Sequence, residues 1–253
     1  MSPPADEQLS EAVADSPRSF SYKIQWFAFR TEDTAAVATG LCLSDRRPAN
    51  WRHGIQTVYL SRPSLSRRMI FVTPPVGGWT FSVGNCLPEP SPRSSQFSRL
   101  FGELARSFRD VQFFGNHRVS DYCAWARAID GKIQRVFCSG NGGEVYCNDG
   151  PQSPEEAALG LADLSDLDPD AATSRVIELE EQLDEQRRVL VAQGMEEREA
   201  LRTIQRLFPR PVPEETDVLA LAGKWSVDPR GFDRLREPLG VGILGLLPTH
   251  WAQ

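Results

Sequence analysis

From Tyr22 to Phe29 the chain reads Tyr-Lys-Ile-Gln-Trp-Phe-Ala-Phe, and its alternation and aromatics predict a strand. Asp33 then leads a short helix that Gly40 stops. Leu43 to Ser66 reads as loop apart from Ile55 to Leu60. Met69-Ile-Phe-Val-Thr and Trp79-Thr-Phe-Ser-Val predict two strands turned by Pro74-Pro-Val-Gly-Gly. Phe97, Leu100, Phe101, Leu104 and Phe108 recur at helical spacing and predict one apolar helix face over 96–108. A strand follows at Val111-Gln-Phe-Phe. Tyr122–Ile129 and Lys132–Cys138 then flank Asp130-Gly131, the signature of a two-residue hairpin in which both turn residues take positive φ. Asn141-Gly142 marks a further turn into Glu144-Val-Tyr-Cys.

Beyond Gly150 the period changes from strand to helix. Ser153-Pro-Glu-Glu combines a cap, a proline in the first turn and early carboxylates. Asp163–Asp170 is an acidic loop. Val176, Leu179, Leu183 and Leu190 form a stripe, Gly194 breaks it, and Leu201, Ile204, Leu207 and Phe208 resume it. The expected fold class is therefore α+β: a mostly antiparallel sheet with helices on one face, plus an inserted helical hairpin. The expected divisions are a mobile tail over 1–19, a sheet body over 20–150, a helical segment with its acidic loop over 151–213, and short C-terminal helices over 214–253 that pack on the body.

Composition narrows the function classes. A net charge of −6 and a pI near 5.2 argue against a dedicated nucleic-acid binder. The charge is segregated: Arg46, Arg47, Arg52, Arg62, Arg67 and Arg68 occur with no carboxylate among them, whereas residues 144–217 hold 19 acidic and 7 basic side chains. The N-terminus lacks the basic start and apolar run of a signal peptide. Leu239–Leu247 is too short to span a bilayer. Five cysteines without a C-x-x-C fit a reducing compartment. A cytoplasmic protein without a membrane partner is the expectation.

Candidate chemistry is sparse. His117 could act as a general base with Asp121 as its orienting carboxylate, and Glu144 is the third residue of such an enzyme site. The competing reading of His117 is a loop histidine bonded to backbone. The two-residue turn at Asp130-Gly131 sets Cys123 directly opposite Cys138, as a redox pair, half a metal site or two packed thiols. Asp166-x-Asp168-x-Asp170 imitates a calcium loop, but Pro169, Ala171 and Ile177 occupy positions where such a loop needs other residues. No nucleophile elbow or phosphate loop is present. No cofactor and no metal is expected.

Gly78-Trp-Thr-Phe-Ser-Val-Gly84, His117-Arg-Val, Trp125–Arg135 and Trp225-Ser-Val-Asp-Pro229 together resemble a group of uncharacterised stand-alone bacterial cytosolic proteins. The likeness covers about residues 20–150 and 214–236. It implies a bacterial origin and supplies no catalytic residue. The functional expectation is a protein-binding module, of an immunity or regulatory type that neutralises a partner. Trp51, Arg52, Arg46 and Arg47 are its expected binding residues, because aromatic and arginine anchors dominate interfaces. The alternative is an enzyme centred on His117, Asp121 and Glu144.

Overall fold

The computed structural model describes residues 12–60, 68–91 and 95–251. Its framework is one nine-stranded antiparallel sheet in the order β2-β9-β3-β4-β1-β5-β6-β7-β8. The strands are β1 (Ile24–Phe29), β2 (Ser44–Asn50), β3 (Met69–Val72), β4 (Thr80–Val83), β5 (Asp110–His117), β6 (Tyr122–Ile129), β7 (Lys132–Gly140), β8 (Glu144–Asp149) and β9 (Val241–Leu246). The helices are α1 (Thr34–Gly40), α2 (Trp51–Leu60), α3 (Ser95–Ser107), α4 (Pro154–Ala158), α5 (Pro169–Ala192), α6 (Glu197–Leu207) and α7 (Glu215–Trp225).

Alternation along β1 sends its side chains to two separate cores. Phe27 and Phe29 join Phe97, Phe101 and Phe113 beneath α1 and α3, the two helices that the order of elements places together on one face. Ring centroids there approach to 5.1 Å for Phe27–Phe113 and 5.2 Å for Phe97–Phe101. Trp26 and Ala28 face the other way, onto a core closed by α2, α7 and a 3-10 turn at Pro229–Arg234. There Trp26 stacks on Phe114 at 5.3 Å and Phe232 meets Phe81 at 5.0 Å. With both faces covered, the central strands read as continuous apolar runs.

Four expectations are corrected. The stretch 43–54 is not loop: it forms β2 and the start of α2, while residues 61–66 of the expected loop lie outside the described residues. The first N–H groups of α2, at Trp51 and Arg52, donate to the Asp15 carboxylate at 2.7 and 3.1 Å. The presumed tail is thus docked from residue 12 onward, and Phe20 is buried; residues 1–11 of that tail lie outside the described residues. The C-terminal stretch 214–253 is not helical throughout, because β9 inserts between β2 and β3. Gly242 allows that insertion, since a Cβ there would stand 2.3 Å from the Val72 carbonyl oxygen.

The fourth correction is one of register. Asp130 and Gly131 take φ of 48° and 78°, the expected turn. Gln134, however, is an extra residue: Ala128 faces Ile133 but Arg127 faces Arg135. Beyond this bulge the pairing slips by one, so Cys123 faces Ser139 and Cys138 faces Ala124. The two thiols consequently project to opposite sides of the sheet, Cys123 into one core and Cys138 into the other.

The bulge accompanies a buried ion pair. Arg135 Nε lies 3.1 Å from Glu156 Oε1, with both side chains almost fully buried. Glu156 also accepts from Trp125 Nε1 at 2.9 Å, and it closes the capping box that starts α4 at Ser153. Arg135 donates further to Asn148 Oδ1 and the Gly150 carbonyl. Such a network offsets the cost of removing two charges from water, which would otherwise be several kcal/mol per ion.

Asp168 caps α5 by accepting from Ala171 N, with Pro169 in the first turn. The apparent calcium loop is therefore a helix start. Among the described residues no group of three or more acidic, histidine or cysteine side chains could hold a metal. None of their helices is long and apolar enough to cross a membrane.

Candidate functional site

Of the expected catalytic residues, His117 and Glu144 are each hydrogen-bonded to neighbours in sequence. His117 ends β5, and its Nδ1 lies 3.3 Å from Ser120 Oγ across the short turn Arg118–Ser120. Among the described residues, no ion pair joins His117 to Asp121 or Glu144. Asp121 leaves that turn with a left-handed φ of 48° and lines a cleft. Glu144 opens β8 and accepts from the Tyr146 hydroxyl at 3.1 Å and from Asn141 at 3.3 Å. Its carboxylate braces the next turn.

The cleft encloses about 480 Å³, within the range of small-molecule sites. Arg118 and Asp121 come from the sheet end, Glu180 from α5, and Glu214 and Glu215 from the start of α7. Cys123 lies within it, its thiol donating to the Pro213 carbonyl at 3.7 Å. Burial first, and the charges of Asp217 and Glu215 next, push that thiol up to about 12, so it is neutral and a poor nucleophile. Burial also raises the Glu215 carboxyl, against the pull of Arg118, and its Oε1 is buried without a hydrogen-bond partner. The cleft offers shape and charge but no activated nucleophile.

The expected binding anchors separate. Trp51 is completely buried, edge-on to Phe71 and Phe232 with ring centroids 5.8 and 5.9 Å away. It cannot serve as a surface anchor in this conformation. The other tryptophans share that fate, none being more than 5% exposed. Arg46 is engaged with its own fold, donating to the Leu43 and Ala38 carbonyls and to Thr39 Oγ1. Arg47 and Arg52 are exposed, on the edge strand β2 and the first turn of α2. Arg62 and Arg67 lie outside the described residues.

Two features were not anticipated from the sequence. Glu89, between Pro88 and Pro90, turns into the α3 side of the sheet and hydrogen-bonds Gln25. Burial pushes its carboxyl up to about 7, and the Tyr122 hydroxyl close by is buried without a partner of normal geometry. The proline bracket around Glu89 was the available signal.

The second feature is how little of the hairpin is buried. Helix α5 has 24 residues, about 36 Å at 1.5 Å per residue, yet only Ala172 and Val176 are buried. Helix α6 buries only Ala200 and Ile204. Meanwhile Leu201, Leu207 and Phe208 stand 45%, 62% and 40% exposed. Compared with known proteins, the chain matches no family model, no curated protein and no solved structure.

Proposed function

We propose that this chain is a protein-binding module whose contact element is the α5–α6 hairpin. The observation that carries the reading is the hairpin's exposed apolar residues on helices far longer than their packing requires. Past its root on β8, α5 contributes little to the core, whereas most helices in proteins owe their stability to a packed amphipathic face. Leu201, Leu207 and Phe208 are the anchors such a contact would bury, in place of Trp51. Arg198, Arg202 and Arg206 stand beside these anchors on α6, while α5 carries Glu178, Glu180, Glu181 and Glu185, so charges of both signs would set a partner's orientation more than its affinity. Neutralisation or regulation of that partner, by covering its surface, belongs to the same proposal.

An enzyme is a second reading, and one observation favours it: the orphan Glu215 oxygen in the cleft beside Arg118 and Asp121. Partner capture from an extract of the native host separates the two. The triple variant Leu201→Glu, Leu207→Glu, Phe208→Glu should lose the captured protein while its thermal unfolding stays within a few degrees of wild type. Asp121→Asn with Glu215→Gln should retain it. Capture that survives the first variant and fails with the second would replace the hairpin with the cleft.

A further inference from the structure

The bulge that separates Cys123 from Cys138 leaves Cys138 with a different cysteine. In the β7–β8 ladder Cys138 is the direct cross-strand partner of Cys147. Both side chains join the same core, beneath the α3 side of the sheet. Directly opposed residues of an antiparallel pair have Cα atoms about 4.5–5.5 Å apart. That interval lies inside the window of about 4.4–6.8 Å that disulfides require. After burial itself, Cys147 is the first influence on the ionisation of Cys138, as expected of neighbouring sulfurs. Both thiols are free in this structure. The other cysteines are placed elsewhere: Cys123 on the opposite face, Cys86 with its sulfur 3.8 Å from the Met69 carbonyl, and Cys42 on the surface.

We propose that Cys138 and Cys147 are a redox modification site, closing to a reversible disulfide at the expense of a small disulfide such as oxidised glutathione. The inference goes beyond the binding reading and does not depend on it. Cys147 is half-buried and Cys138 buried, so the order of events follows from access. The Cys147 thiolate attacks one sulfur of oxidised glutathione, forming a mixed disulfide and expelling one glutathione thiolate. Cys138 then loses its proton and attacks the Cys147 sulfur, forming the protein S–S bond and expelling the second glutathione thiolate. Two electrons pass from the protein thiols to glutathione, and the two protons end on the two glutathione thiols.

Burial, reinforced by Asp149, pushes the Cys147 thiol up to about 11. The thiolate fraction, and the rate of the first step, should therefore climb about tenfold per pH unit between pH 7 and 10. The consequence is mechanical. Helix α5 is seated on β8, where Val145 N donates to Thr173 Oγ1 at 2.9 Å. A bond from Cys147 to Cys138 fastens that edge strand to β7 and stiffens the root of the hairpin.

The test uses the folded full chain, oxidised glutathione at pH 8.5, acid quenching, and digestion at both Arg135 and Glu144, which separates Cys138 from Cys123 on one side and from Cys147 on the other. The expected result is that the peptides carrying Cys138 and Cys147 migrate as one species until reduced. Cys138→Ser should instead leave Cys147 as a stable glutathione adduct, and the wild-type rate should fall about tenfold from pH 9 to pH 8. Recovery of both peptides unlinked after complete turnover of exposed Cys42 would overturn the proposal. So would a Cys138 linkage to any cysteine other than Cys147.

Discussion

Two side chains decide how the residue scale reads, and both are carboxylates. Glu156 compensates Arg135 in a site closed to water, so removing it strands a buried guanidinium. Glu156→Ala is expected to cost about 3–5 kcal/mol, read as a lowered midpoint in urea unfolding. Glu89 acts through pH instead. Its folded carboxyl titrates near 7, above its ordinary value of 4.5, so the folded protein holds that proton more tightly than the unfolded chain. The contribution is complete below about pH 4.5 and is lost as pH rises through 7, a change of about 3 kcal/mol. Glu215 shifts in the same direction, so the comparison must be made against Glu89→Gln. Urea unfolding at pH 5 and pH 8 should show wild type losing more stability than that variant; equal losses would contradict the assignment.

At the scale of elements, local signals were legible and long-range ones were not. The Asp130-Gly131 turn, the capping box at Ser153, the apolar face of α3 and the break at Gly194 are set by neighbours in sequence, and each is where the pattern put it. The Gln134 bulge accompanies the reach of Arg135 to Glu156, a partner that no local pattern announces. One unseen residue therefore reversed the faces of a whole strand segment and displaced the thiol pair. Strand β9 was hidden because Gly242 and Gly245 read as breakers, whereas here their lack of a side chain admits the flanking strands. Gly242→Ala should accordingly destabilise by about 1–3 kcal/mol, since its Cβ would collide with backbone. Arginines around Trp51 suggested a polar loop, but Asp15, from a segment read as tail, starts α2 and turns the indole inward. The candidate site was legible only in part: Asp121 lines the cleft, but Glu180, Glu214 and Glu215 reach it from distant segments.

The whole molecule divides between a sheet buried on both faces and a hairpin that buries few of its own residues. Replacing residues 179–206 with a short Gly/Ser linker should leave a single cooperative unfolding transition, because Ala172 and Val176 remain on β8 and Arg210 keeps its 2.6 Å contact with Asp217. A broad, multiphasic melt would mean that the hairpin is part of the core. The central claim is that the exposed hairpin residues meet a partner, and photo-crosslinking in the native host tests it most directly. A photoreactive residue would be placed in turn at Leu207 on the hairpin, at Thr216 in the cleft and at Glu103 on α3. The account predicts a discrete protein adduct from position 207 and none from 216 or 103; an adduct from 216 with none from 207 would contradict it.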